Sequence, residues 1–180
     1  MPKTSDVVNQ HGSSTIIGGP VSHRAELLAA RIEEGAARLA AFAEGLSDAE
    51  WRTAVSATAR RSIGVVVHHV ASMYPLEIDI ARAIASGRLV SDVTWEVVAQ
   101  LNAKHAQNPQ VLQSATLELL LQNSREAAVA ARAFTDQELD NAVPFSLTFG
   151  APVTAQFVIE DHAMRHSWHH FAAIRKAIHR

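Results

Sequence analysis

The feature that most constrains the fold of this 180-residue chain is a helical repeat of apolar residues in four long segments. Apolar residues recur every three or four positions in residues 22–45, 62–86, 111–134 and 154–178, the spacing of one face of an α-helix. Ala, Leu, Arg and Glu, which favour helices, dominate these segments, whereas Gly and Pro are confined to a few places. Because one-sided apolar stripes must pack against one another, the sequence predicts an all-α four-helix bundle. We expect up-and-down character with a crossover connection.

Short extra elements are predicted between these helices. Ser47–Glu50 and Thr135–Glu138 each match a capping box, in which a Ser or Thr is followed three residues later by Glu. A short helix is predicted over residues 94–105, and a loop with a brief extended stretch over "AVPFSLTFGAP". Pro75 lies inside the second long helix and removes one of its backbone hydrogen bonds.

The N-terminal segment differs in composition from the rest of the chain. Residues 1–20 are rich in Gly, Ser, Asn and Pro, which predicts a flexible tail. Residues 21–180 have the length of one helical domain. Neither a signal-peptide core nor an apolar run of about 18 residues is present, so we expect no signal peptide and no membrane span.

Charge and cysteine content narrow the function. Acidic and basic residues are interspersed and give a formal net charge of −2, so no basic patch for nucleic acid is expected. The chain has no cysteine, which excludes disulfides, thiolate metal ligands and a cysteine nucleophile. This composition fits a reducing cytoplasm, and we predict a cytoplasmic protein. Any metal site must use nitrogen and oxygen ligands.

Histidines are concentrated in the last helix. The stretch "DHAMRHSWHH" contains His162, His166, His169 and His170. On a helical wheel these four fall within about 100°, so they share one face. We expect this face to be buried, because its other members are mostly small apolar residues. His166 and His170 lie four residues apart, one above the other, so both can reach one metal ion. Taken alone, this pair is better explained by core histidines that hydrogen-bond to backbone carbonyls or carboxylates.

The second long helix adds another histidine. His69 lies at the centre of its apolar stripe, whereas His68 falls near the edge. A buried imidazole is costly unless its ring nitrogens have partners, and one neighbouring hydrogen bond is the simplest explanation. One histidine from this helix together with His166 and His170 would instead form a three-nitrogen site with an open position. That arrangement is typical of a catalytic metal.

Two motifs resemble the DinB-like (DinB/YfiT) superfamily of metalloenzymes. "RRSIGVVVHHVASMYP" resembles the family's second-helix motif, and "HSWHHFAAIRKAI" resembles its last-helix motif. The resemblance covers about residues 24–178. It implies a four-helix bundle that holds a divalent metal, commonly zinc or nickel, through three histidines. By position, these match His69, His166 and His170.

The resemblance also suggests a cofactor, and this chain differs from the family at one position near the last-helix histidines. Several family members are transferases or isomerases that use a low-molecular-weight thiol, so such a thiol is a possible cofactor. The family often has Gln after the last-helix histidines, where this chain has Ala173. One contact near the metal or the substrate is therefore missing here.

Further residues are candidates for the surroundings of the site. His162 is a fourth ligand, a partner of a ligand, or a packed histidine at the rim. His169 would replace a ligand if the helix register shifted. His105 either caps the end of its own helix or lines a substrate pocket. Glu77 and Glu160 are the carboxylates nearest to the two histidine faces, and either could orient a ligand histidine, although a solvated surface position is the default for both.

These observations favour a metal-dependent enzyme acting on a small molecule, either a thiol-dependent S-transferase or a hydrolase. The alternative is a non-catalytic metal-binding or stress-related interaction protein of the same fold. An open coordination position beside a pocket would favour the enzyme, and a closed site with His162 as a fourth ligand would favour the alternative. In a third interpretation, the histidines are hydrogen-bonded core residues without a metal.

The opposite side of the last helix is also apolar. A helix with two apolar faces is either central to its own bundle or pairs with another subunit. We predict a homodimer, with more extended packing within the chain as the alternative. The residues on this side are Phe157, Met164, Trp168, Phe171 and Ile178.

Overall fold

The computed structural model describes residues 22–56, 58, 61–107 and 111–178, so the predicted N-terminal tail lies outside the described residues. The eight α-helices of this part are α1 (His23–Glu44), α2 (Asp48–Trp51), α3 (Ile63–Ala85), α4 (Trp95–Ala106), α5 (Gln113–Arg132), α6 (Asp136–Asp140), α7 (Ala155–Val158) and α8 (Arg165–Ile178). A π-helical segment, Ile159–Met164, joins α7 to α8, and the three together form the last helix. No helix in the described part of the chain is long and apolar enough to cross a membrane.

The predicted helices are confirmed to within about two residues at each end, because their caps are local features. Ser22, Ser62 and Thr154 each accept a hydrogen bond from the backbone N–H three residues further on, which begins a helix. Both predicted capping boxes form, at the starts of α2 and α6. The predicted loop contains strands β1 (Ala142–Pro144) and β2 (Pro152–Thr154), which pair antiparallel.

The four long helices form a bundle in which α1 and α3 are diagonal to each other. Each of them packs against α5 on one side and against the last helix on the other. Glu26 near the start of α1 pairs with Arg132 at the end of α5, so these two helices are antiparallel. Asn123 of α5 contacts Ala71 of α3, and the starts of both helices also meet, so α3 and α5 are parallel. The all-α four-helix bundle is confirmed.

The parallel pair requires a crossover connection between α3 and α5. Its described residues, 86–107 and 111–112, include α4, a helix with no buried residue. A backbone bridge joins Val90 to Phe145, and the Ser146 hydroxyl donates to the Val93 carbonyl. The start of the crossover is therefore tied to the β1–β2 hairpin at one end of the bundle.

The π-helical segment rotates the buried face of the last helix. Up to the first turn of the π-helical segment, the buried residues are Ala155, Val158 and Ile159. After this turn, the buried residues are Ala163, Ser167 and Ile174. On one wheel the two sets lie about 100° apart, the angle of a single residue, because a π-turn holds one extra residue. The expectation that the histidine face of the last helix is buried is therefore wrong in detail. The histidines flank the core and face α3 and α4.

Gly35 allows α1 to approach the last helix closely. A Cβ atom at this position would lie 2.5 Å from the Ser167 hydroxyl oxygen and 2.6 Å from Trp168 Nε1. Both distances are far below van der Waals contact, so a larger residue would push the two helices apart. This contact fixes the position of α8, which carries the histidines, relative to α1.

Candidate metal centre

Three histidines from two helices converge beside the bundle core. His69 comes from α3 and is only 7% exposed, whereas His166 and His170 come from α8. His69 Nε2 lies 3.0 Å from His166 Nε2. One ring nitrogen from each of the three histidines lies within 4.8 Å of the others, and this group is a possible metal site. The structure thus brings together the three residues that the sequence predicts as ligands.

The arrangement of these nitrogens fits a metal ion. Two nitrogen ligands that are each about 2.0–2.1 Å from one ion, with bonds nearly perpendicular, lie about 3 Å apart. His69 Nε2 and His166 Nε2 have this separation. A nitrogen of His170 lies within 4.8 Å of a ring nitrogen of each of these two histidines. A set of three imidazoles suits zinc, nickel, copper and iron.

Glu77 fixes the orientation of His166. It is 4% exposed, and its Oε1 atom accepts a hydrogen bond of 2.7 Å from His166 Nδ1. A proton on Nδ1 leaves the Nε2 lone pair free for a metal. The carboxylate that accepts this proton's hydrogen bond makes Nε2 a stronger electron donor. The default expectation of a solvated Glu77 is therefore wrong. Its second oxygen, Oε2, is buried and has no hydrogen-bond partner among the residues that the structure describes.

His105 contacts the Nδ1 atom of His69, as Glu77 contacts the Nδ1 atom of His166. It lies in the last turn of α4, and its Nδ1 atom is 2.9 Å from His69 Nδ1. One of these two nitrogens must carry the proton that they share. When that proton is on His69, the Nε2 lone pair of His69 is free for a metal. His105 thus contacts a predicted ligand directly, an arrangement that neither of its sequence-based roles included.

Burial keeps His69 and His170 neutral. Together with a smaller effect of the neighbouring His166, it lowers the pKa of His69 to about 2 and that of His170 to about 3. Burial is also the main reason why the pKa values of His105 and His162 are lowered. Neutral imidazoles have a free lone pair at neutral pH, which is the form that binds a metal.

A cavity of about 250 Å³ lies directly beside the three histidines. It is formed between α3, α4 and the last helix and is also lined by Val93 and Leu147. Because the three histidines line this cavity, a ligand in it would reach the cluster directly, and the described residues supply no fourth ligand to the group. This matches the open position of catalytic metal sites.

His162 and His169 line the same cavity but stand outside the three-histidine group. His162 packs edge-on against Phe145 and lies 3.9 Å from the Asp161 carboxylate. His169 is exposed, with its ring 5.2 Å from that of His170. His162 therefore has the position predicted for a packed histidine at the rim.

Comparison with known proteins supports the fold. No protein-family profile matches the chain, and no curated protein sequence matches it significantly. Among solved structures, it is similar to YfiT from Bacillus subtilis, described as a probable metal-dependent hydrolase with an unusual four-helix bundle topology. The TM-score is 0.70 with 19% identity, covering 88% of this chain and 89% of that chain. The resemblance to DinB/YfiT proteins is therefore confirmed at the level of the fold.

Proposed function

We propose that the protein is a metal-dependent hydrolase of a small molecule, in which His69, His166 and His170 hold one divalent metal ion. The observation that carries this proposal is the three-histidine cluster, which faces a cavity on its unfilled side. Zinc and nickel are the metals that we favour for three imidazole ligands. The absence of cysteine fits our further proposal that the enzyme works in the cytoplasm.

The residues around the cluster have separate tasks. A bound divalent metal would supply Lewis acidity, which polarises a substrate oxygen and lowers the pKa of a water molecule. Glu77 and His105 hold His166 and His69 so that each presents its Nε2 atom. The apolar walls of the cavity, such as Leu76 of α3, exclude bulk water and so strengthen the electrostatic interactions inside.

Two further observations support hydrolysis. YfiT, which shares the fold, is described as a probable metal-dependent hydrolase. In addition, His162 lies outside the three-histidine group, so the residues that the structure describes do not form the closed four-ligand site expected of a non-catalytic metal-binding protein. A thiol-dependent transfer has no comparable support from the residues that the structure describes.

Metal analysis of protein purified without an affinity tag tests this proposal. We expect about one zinc or nickel ion per chain, and loss of that ion in His166→Ala. His169→Ala is the matched control, because this exposed neighbour lies outside the group and should leave the metal in place. The metal-loaded protein should hydrolyse at least one member of a panel of nitrophenyl esters, anilides and phosphoesters. Metal-free protein that stays empty after incubation with zinc and nickel would contradict the proposal.

A further inference from the structure

The cavity beside the histidines is elongated and has two different ends. His69 of α3 faces His166 and His170 of α8, which defines a histidine end. From there, the cavity lining continues along α3 to Ile80 and reaches Leu147 of the hairpin. Ile80 lies eleven residues after His69, or about 16 Å along the helix axis. A ligand can therefore place different chemical groups at the two ends.

The end remote from His69 is mostly apolar. Met73, Leu76 and Ile80 follow one another at helical spacing on α3. Further apolar surface comes from Val93 of the crossover loop, Trp95 and Val98 of α4, and Leu147 of the hairpin. The last helix adds polar groups, namely His162, which packs against Phe145, and the Asp161–Arg165 pair. Such a surface favours a hydrocarbon group over a polar one.

No free charge among the described residues is available in the cavity for an ionic substrate group. The Asp161 and Arg165 side chains, which both line the cavity, pair with each other at 3.2 Å. Glu77 is the other charged residue in the lining, and it accepts the hydrogen bond from His166. Apart from the proposed metal ion, an anionic substrate group would meet only Arg165, which already pairs with Asp161, so the rest of the lining favours a neutral substrate over a phosphoester.

We infer that the substrate is a neutral carboxylic ester or amide with an apolar acyl chain that extends from the histidine end towards Ile80 and Leu147. Met73 and Ile80 are seven residues apart, or about 10 Å along α3, which corresponds to an extended chain of about eight carbons. The cavity, at about 250 Å³, is smaller than those that hold drug-sized ligands. This inference rests on the proposed hydrolase function and adds its substrate class.

The reaction is a hydrolysis that needs no further reactant. Water adds to the acyl carbon, the bond from that carbon to the alcohol oxygen or amine nitrogen breaks, and the leaving group takes up a proton. The products are a carboxylic acid and an alcohol or amine. The electron pair of the broken bond remains on the leaving group, so nothing is oxidised or reduced.

Binding of straight-chain hydroxamic acids to the zinc-loaded protein, measured by isothermal titration calorimetry, tests the chain specificity. The hydroxamate group is a metal-binding mimic of the reacting acyl group, and chains of two to twelve carbons are compared. We expect affinity to rise about three- to fourfold per added methylene up to about eight carbons, and then to stop rising. Equal affinity from acetohydroxamic to octanohydroxamic acid would overturn the inference.

Two variants that fill the apolar end test the direction in which the chain lies. Ile80→Trp and Leu147→Trp come from different elements, so a failure of one variant to fold leaves the other. Each should weaken octanohydroxamic acid binding by about tenfold or more while leaving acetohydroxamic acid binding unchanged. Ile80→Ala and Ile78→Ala form a matched pair, because both isoleucines are buried on α3 but only Ile80 lines the cavity. Equal effects of these two truncations on octanohydroxamic acid binding would contradict the inference.

A measurement without metal separates this inference from the proposed function. Metal-free protein should bind octanamide more tightly than acetamide, and Ile80→Trp should abolish the difference. If the protein takes up no metal but retains this preference, the hydrolase proposal fails and the apolar chain site stands. If zinc-loaded protein hydrolyses esters with no dependence on chain length, the chain site fails and the hydrolase stands.

Discussion

At the scale of single residues, His166 connects the two parts of the candidate metal centre. Its Nε2 atom faces His69, and its Nδ1 atom donates to Glu77. A carboxylate in this position fixes the tautomer of a ligand histidine and increases its basicity. Glu77 follows His69 by eight residues on the same helix, but His166 is 89 residues further along the chain. Sequence spacing therefore left the partner of Glu77 undetermined.

Removal of the carboxylate should weaken metal binding. We expect Glu77→Ala to raise the zinc Kd by about 10- to 100-fold, because His166 loses the group that holds its proton on Nδ1. Glu77→Gln should lose less, since its amide oxygen can still accept the hydrogen bond. Competition with a chromophoric chelator gives the Kd, and ¹⁵N NMR of the imidazoles reports the tautomer.

Glu160→Gln provides the control for this prediction. Glu160 is a half-buried carboxylate of the last helix that accepts from Gln156 and lies outside the cavity lining of the metal centre. Its substitution should leave the zinc Kd unchanged. An unaltered Kd and imidazole tautomer in folded Glu77→Ala would show that the carboxylate does not position His166.

At the scale of elements, α3 contains a proline and remains helical on both sides of it. Pro75 has no N–H to donate to the Ala71 carbonyl four residues earlier. Asn123 of α5 replaces that donor, since its side-chain Nδ2 donates to the Ala71 carbonyl at 2.8 Å. The proline thus transfers one hydrogen bond from the inside of α3 to the contact between α3 and α5.

A double-mutant cycle tests this exchange. Asn123→Ala should lower the free energy of unfolding by about 1–3 kcal/mol, because it leaves the Ala71 carbonyl without its donor. The loss should be clearly smaller in a Pro75→Ala background, where a backbone N–H at position 75 can donate to the same carbonyl. Urea denaturation measures both values. Equal losses in the two backgrounds would show that Asn123 acts independently of Pro75.

In the last helix, a helical wheel does not predict correctly which residues are buried. A wheel with one fixed angle per residue places all four histidines on the buried face. The π-helical segment Ile159–Met164 then rotates the following residues by about one position relative to the core. No local residue preference marked this segment, because a π-turn is stabilised by the tertiary contacts around it.

At the scale of the whole molecule, the direction of the helices positions the cavity. Because α3 and α5 are parallel, the connection between them must return along the length of the bundle. The helix in this crossover, α4, brings His105, Asn102 and Val98 to the histidine cluster and the cavity. A bundle with alternating helix directions and short loops would leave the same groove uncovered.

The predicted homodimer remains a prediction at this scale. Part of the second apolar face packs within the chain, since Phe171 contacts Phe42 with ring centroids 5.4 Å apart. Phe157 is 42% exposed and marks the uncovered part.

Light scattering at micromolar concentration should give the mass of a dimer, and Phe157→Asp should shift the measured mass towards that of a monomer. Phe149→Asp is the control, because Phe149 is 91% exposed on the hairpin. A wild-type monomer would rule out this dimer.

The sequence by itself determined the number, bounds and class of the helices, because periodicity and capping act within a few residues. It also singled out His69, His166 and His170 as candidate ligands, since helical spacing and the family motifs both select them, and the structure places the three together. Both inferences depend on residues close together in the chain or on a recognised motif.

Tertiary structure alone decided what surrounds those histidines. The contacts of Glu77 with His166 and of His105 with His69 join residues on separate helices. The cavity likewise depends on the parallel course of α3 and α5 and on the shift introduced by the π-turn. Packing of whole helices sets these distances, and no local spacing encodes the packing, because many arrangements satisfy the same apolar stripes.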